Sequence, residues 1–212
     1  GFVNPASISP EAVELQQGML DAGVAVVFVE DVPGGKAFRD RNTGVIFVSA
    51  ANMGEIETIM STRGISRADA IAVRNAHMNS VVAHEFTHTL QAQLPTHYQG
   101  LLTGLDEADP EVVIRGAEEY LHAKATAEAK KNGTTLPPPL SQDQRLFTDE
   151  EIAEFVEANP DSIPEIVAYA VELTAANGTT QQQQQLAKVL AGGKRSSVVK
   201  FINKVGNMIR AL

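Results

Sequence analysis

Cysteine is missing from all 212 positions. Disulfides and thiolate ligands are therefore excluded, any bound metal has to be held by His, Asp or Glu, and the redox compartment stays open. A membrane-length apolar run is missing too, since the longest, Val24 to Val29, is far too short to cross a bilayer. The N-terminal GFVNPASISPEAV has neither the basic region nor the apolar stretch of a signal peptide, and it lacks an initiator Met. These features predict a soluble chain, an excised domain or processed product, of undetermined localisation. Basic charge is scarce as well: 17 Lys and Arg stand against 26 Asp and Glu, a formal net charge of −9. No nucleic-acid partner is expected, because phosphate contacts need a basic surface. The exception is the C-terminal end, where Lys188, Lys194, Arg195, Lys200, Lys204 and Arg210 follow Leu186 with no acid among them. Hydrophobic residues make up 43% of the chain, enough for one sizeable core with a small appendage.

Local signals predict an α+β chain. PEAVELQQGMLDAG (10–23) reads as a helix stopped by Gly23; VAVVFVE (24–30) and VIFVS (45–49) read as strands, separated by turns at Pro33-Gly34-Gly35 and Asn42-Thr43-Gly44. Ser66 and Asp69 resemble a capping box, from which a helix runs unbroken to about Gln93, ahead of Pro95. A second long helix runs from near Pro110 to the Asn132-Gly133 stop, and NGTTLPPPLSQ is a linker because three prolines in a row continue neither helix nor central strand. Thr148 caps DEEIAEFVEAN, and Ser162-Ile163-Pro164 opens EIVAYAVELTAA, which closes at Asn177-Gly178. The expected division is a core over 1–131, a helical subdomain over 132–180, and a basic amphipathic helix over 181–212. In that last segment Val198, Ile202, Val205, Ile209 and Leu212 form one stripe, suited to docking on the acidic body of the same chain or on a partner.

The chemistry is concentrated in VVAHEFTHTL (81–90), which sets His84, Glu85 and His88 in the H-E-x-x-H order. Histidines four apart on a helix share one face, about 6 Å from each other, so both imidazoles can reach one tetrahedral metal while the glutamate reaches a water beside it. The helix has two distinct sides. Met78, Val82, Phe86 and Leu90 make an apolar stripe, whereas His77, Ser80, His84, Thr87, His88 and Gln91 make a row without Lys or Glu. A solvated face usually carries Lys and Glu, so this row predicts a cleft.

Catalytic zinc normally has three protein ligands and a water. A histidine six residues after His88 would complete one known pattern, but Gln91 and Leu94 stand where its glycine and histidine belong. His97 comes three residues too late and lies beyond Pro95. Glu118 and Glu119 sit on a helix whose Gly116, Ala117, Ala123 and Ala125 allow close approach. With HEFTH followed about thirty residues later by GAEEYLHA, the sequence resembles the gluzincin metallopeptidases, in which a helical glutamate downstream of HExxH is the third ligand. The resemblance covers residues 24–128 at most and is specific at HEFTH. It implies a zincin-like fold, a small mixed sheet packed on the long HExxH helix with a mainly helical C-terminal part, and Zn²⁺ held by His84, His88 and Glu118, with Glu119 as the alternate. Tyr120, two residues after Glu118, matches the aromatic often found there, while Leu121 departs from the small residue that follows.

The same resemblance implies a zinc-dependent metalloendopeptidase acting on protein or peptide substrates. Glu85 takes a proton from water and passes it to the leaving amine, and His97, Tyr98, Tyr120 and His122 are candidate transition-state donors or supports for the ligands. The VIFVS strand is the expected sheet edge for an extended substrate. The alternative is a non-catalytic zincin-fold binding or structural domain of a larger phage, effector or polyprotein assembly, against which Glu85 argues. A third reading is a helical interaction protein acting through its basic C-terminal helix.

Overall fold

The computed structural model describes residues 1–177 except positions 22, 34, 97, 100, 102–109, 139 and 141–144. The glutamine tract, the basic amphipathic segment and His97 thus lie outside the described residues. Within them the chain is α+β, with seven helices and one three-stranded mixed sheet. No helix among the described residues is long and apolar enough to cross a membrane.

Ser66 starts the longest element by capping it: its hydroxyl oxygen accepts the Asp69 N–H at 3.2 Å and its O–H donates to the Asp69 carboxylate at 2.6 Å. Helix α4 then runs Arg67–Gln93, 27 residues or about 40 Å, and ends at Leu94, where φ is −134°. Met78, Val82, Phe86 and Leu90 are buried as the apolar stripe requires. On the other side Ser80 and Thr87 donate to the carbonyls of His77 and Ala83, satisfying themselves within the helix.

The stripe packs on the sheet and on α1 and α2 (Pro5–Ile8, Pro10–Asp21). Strands β1 (Val26–Val29), β2 (Ala37–Arg39) and β3 (Ile46–Ser49) lie in the order β1-β3-β2, β1 parallel and β2 antiparallel to β3. Ile46 and Val48 face the core with Val26 and Phe28, as the two-residue period of a strand dictates. The VIFVS strand is therefore central and not the expected edge: Phe47 pairs with Val27 on one side and Phe38 on the other. The short β2–β3 hairpin places β2 outside, so that among the described residues β2 is an edge strand of the sheet, next to α4. Helix α3 (Ile56–Arg63) precedes Ser66; neither it nor α1 was anticipated from the sequence.

Helices α5 (Pro110–Asn132), α6 (Asp149–Ala158) and α7 (Ile163–Asn177) complete the described chain. Thr148 and Glu151 form a full capping box at α6. The expected boundary at 132 does not separate two cores, because Val167, Ala170 and Val171 of α7 belong to the same buried cluster as Met78, Val82 and Phe86. Helix α7 is inserted between α4 and α5, its closest crossing at Gly116. A Cβ there would stand 2.6 Å from the Ile166 carbonyl oxygen and 2.8 Å from the Ala170 nitrogen. Those are backbone atoms, so no rotamer change relieves the clash.

Gly116→Ala is accordingly expected to lower the melting temperature in a thermal unfolding scan. Overpacking of this kind costs about 1–3 kcal/mol, partly offset by roughly 1 kcal/mol of helix propensity. An unchanged or raised melting temperature would show that α5 and α7 do not cross this closely.

Candidate metal centre

One turn of α4 separates His84 from His88, and their ring centroids are 5.3 Å apart at 68°. Glu165, in the first turn of α7, faces both. Its Oε2 is 3.6 Å from His84 Nε2 and its Oε1 is 3.5 Å from His88 Nε2. These contacts are too long for hydrogen bonds. They are close to the separation of atoms sharing one tetrahedral ion, since ligand bonds of about 2.0–2.1 Å at the tetrahedral angle put donors roughly 3.3 Å apart. One ligand atom from each of His84, His88 and Glu165 lies within 4.8 Å of the other two, so the three residues fit a divalent cation.

The two candidates for the third ligand stand elsewhere. Glu118 is buried, and its carboxylate lies 3.2 Å from Arg145 Nε and 3.7 Å from Arg115 Nη1. Two guanidinium groups already neutralise it, which leaves it no part in a cation site with His84 and His88. Glu119 does line the cleft with His84, but it does not join the ligand group. Burial pushes its carboxyl above the usual range.

Two further residues of α7 complete the surroundings of His84. Tyr169 lies one turn beyond Glu165, its ring edge-on to His84 at 4.7 Å. Glu172 lies two turns beyond, with Oε2 3.1 Å from His84 Nδ1 and Oε1 3.2 Å from Lys36 Nζ. The His84 contact is short but not aligned as a hydrogen bond, for Nδ1 has no well-directed partner. Glu172 thus occupies the place of the acidic residue that commonly orients a ligand histidine. Nothing near the motif indicated these residues. The available signal was compositional, because Glu165 and Glu172 are the only charges in IPEIVAYAVELTAAN.

Among the remaining expected residues, Tyr98 packs in the main core with its hydroxyl buried and unpartnered among the described residues. Tyr120 belongs to the second apolar cluster, 6.0 Å from Phe155 and 6.3 Å from Tyr169. His122 Nε2 meets the Pro138 carbonyl at 2.8 Å, and its side chain lines the cleft. That cleft, about 930 Å³, also takes in His84, Glu85, Glu119, Glu165 and Tyr169.

The electrostatics follow from burial and from crowding of opposite charges. Burial raises the Glu85 carboxyl above its ordinary value, against the pull of His84 and His88. Burial would lower His84, but the carboxylates of Glu165 and Glu172 outweigh it and raise the imidazole to about 9. Glu165 is held well below the usual carboxylate range by the two histidines. Burial would raise Glu172, yet His84 and Lys36 bring it down to about 2.

Two tests follow. In isothermal titration with Zn²⁺, Glu165→Ala is expected to lose tight binding and Glu118→Ala to keep it; the reverse result would return the third ligand to Glu118. For protein stripped with a chelator, the sign of the pH dependence is fixed by the same shifts. The raised His84 contributes stability that is complete below about 6.5 and lost as pH climbs through about 9. The depressed Glu172 contributes stability that is complete above about 4.5 and lost as pH falls through about 2. Stripped protein should therefore melt highest between about pH 4.5 and 6.5 and lower at pH 9, with the alkaline decline absent in His84→Gln. A wild-type profile flat up to pH 9 would contradict the charge assignment.

Comparison of the chain with protein-family models, with curated proteins and with solved structures gives no match, so the functional reading rests on its own residues.

Proposed function

We propose that the chain is a zincin-like metallopeptidase domain, with His84, His88 and Glu165 as zinc ligands and Glu85 as general base. The observation that carries this reading is the facing of both histidine Nε2 atoms on separate oxygens of one Glu165 carboxylate, with Glu85 buried and lining the same cleft as His84 and Glu165. Two imidazoles and a carboxylate are the donor set of catalytic zinc, whereas structural zinc is usually closed by four protein ligands. When bound, zinc supplies a more acidic water and polarisation of a substrate carbonyl.

The rest of the chemistry falls to the protein's own groups. Glu85 lies one residue past His84 on the cleft side of α4, where its carboxylate can take a proton from water and return it to a leaving amine. Burial has moved its carboxyl up from the ordinary glutamate value, towards the working pH of a general base. The backbone of Arg39, on edge strand β2, reaches the Glu85 carboxylate, so this edge of the sheet runs beside the base. An extended peptide adding to that edge by backbone pairing would bring a peptide bond to Glu85, and this supports a peptide as the substrate. Tyr169 lines the cleft as a candidate hydrogen-bond donor to the oxygen on which charge develops, whereas the Nε2 of His122 is engaged by the Pro138 carbonyl.

The test is a peptide-library or casein assay of zinc-loaded wild type against Glu85→Gln, with zinc content measured on both. Loss of the base should reduce turnover by about 10²- to 10⁴-fold while zinc stays bound. Equal inertness of the two proteins with zinc retained would remove the catalytic reading and leave a metal-binding domain.

A further inference from the structure

We infer that Lys36 is a positioning residue for His84, acting through Glu172. The inference rests on the metal-site reading above and concerns a residue outside the motif, the ligand set and the base. The Glu172 carboxylate is shared between two elements, with one oxygen 3.1 Å from His84 Nδ1 on α4 and the other 3.2 Å from Lys36 Nζ ahead of β2. Glutamate has three rotatable bonds, and its contact with the imidazole is poorly aligned, so that contact alone leaves the carboxylate plane free to turn. The ammonium on the opposite oxygen fixes that plane.

Lys36 is itself well supported. Its carbonyl oxygen accepts the Ser49 N–H at 2.9 Å, and the preceding Gly35 carbonyl accepts the Asn52 side-chain amide at 2.7 Å. The sheet thus carries the ammonium, and α7 carries the carboxylate, to the same point behind His84. When a cation displaces the Nε2 proton, a carboxylate held at Nδ1 keeps the remaining ring proton on that side, which is the tautomer a metal ligand needs. Lys36 and Glu172, with Glu119 and Tyr169, line both the cleft at His84 and a second cavity, about 450 Å³, that reaches His77 and Arg63.

Lys36 is half-exposed, with 54% of its side chain accessible. Glu172 keeps His84 as its partner when this exposed ammonium is lost, so fold stability changes little and the positioning role can be read apart from folding. The experiment measures Zn²⁺ affinity by chelator competition, the visible absorption of the Co²⁺-loaded protein, and the melting temperature of stripped protein, for wild type, Lys36→Met and Lys36→Arg. Loss of an outer partner of a ligand histidine typically weakens metal binding about 10- to 100-fold. Lys36→Met is expected at about the tenfold end of that range, with an altered Co²⁺ spectrum and an unchanged melting temperature, and Lys36→Arg is expected to restore affinity and spectrum. If wild type binds metal and Lys36→Met binds it equally well with the same spectrum, the positioning role is overturned and the ligand set stands. If Lys36→Arg is as weak as Lys36→Met, the role is likewise overturned. If wild type itself binds no metal, the ligand set falls and takes this inference with it.

Discussion

Two carboxylates inside an otherwise apolar helix constrain everything around them. Helix α7 carries only Glu165 and Glu172 as charges, and its Val167, Ala170 and Val171 lie in the main core. Glu172 is largely buried and Glu165 about half-exposed; a carboxylate carried inward without a partner is costly, which favours seating α7 where both acids meet cations or donors. The polar row of α4 meets that need with His84, which stands between the two carboxylates, and with His88. The requirement is mutual, since His84 would otherwise be a buried polar group, and His88 a largely buried one, on the face of α4 opposite its stripe. Close approach on the far side, at Gly116, lets α7 sit deeply enough to reach them.

Local features of the fold were legible because local signals set them. The Ser66 cap, the stop before Pro95, the Thr148 cap and the β-branched strands each depend on a few adjacent residues, and each lies where those residues place it. His84, Glu85 and His88 were legible for the same reason. The carboxylate that faces the histidines was not, because it depends on which helix α4 meets, and no neighbouring residue encodes that choice. Gly116 and Ala117 do form a close-packing surface as their size suggests, but it receives α7, so Glu118 comes to rest beside Arg145 and Arg115. The position of β3 in the middle of the sheet depends in the same way on β2 folding back in a hairpin.

Glu118 in its actual place has a structural part. Arg145 bridges it to Asp149, at 3.2 Å and 2.6 Å, and so ties α5 to the first turn of α6 across the proline-rich connection. A charge buried between helices thus serves connectivity in one part of the molecule and faces an open cleft in another. The difference lies in the partners: guanidinium groups close off Glu118, while neutral-capable imidazoles leave Glu165 able to accept a metal.

His88 and Glu165 stand on separate helices with α5, α6 and their connections between them, so their donor atoms meet only in the folded chain. Free energy of cation capture at such a site is also free energy of folding. A cation at 100 times its dissociation constant contributes about 2.7 kcal/mol, against a total of about 5–15 kcal/mol for an ordinary domain. In a chain without cysteine, a cation spanning these helices would be the nearest equivalent of a disulfide, a cross-link closing a long loop that chelation opens and reductants leave intact.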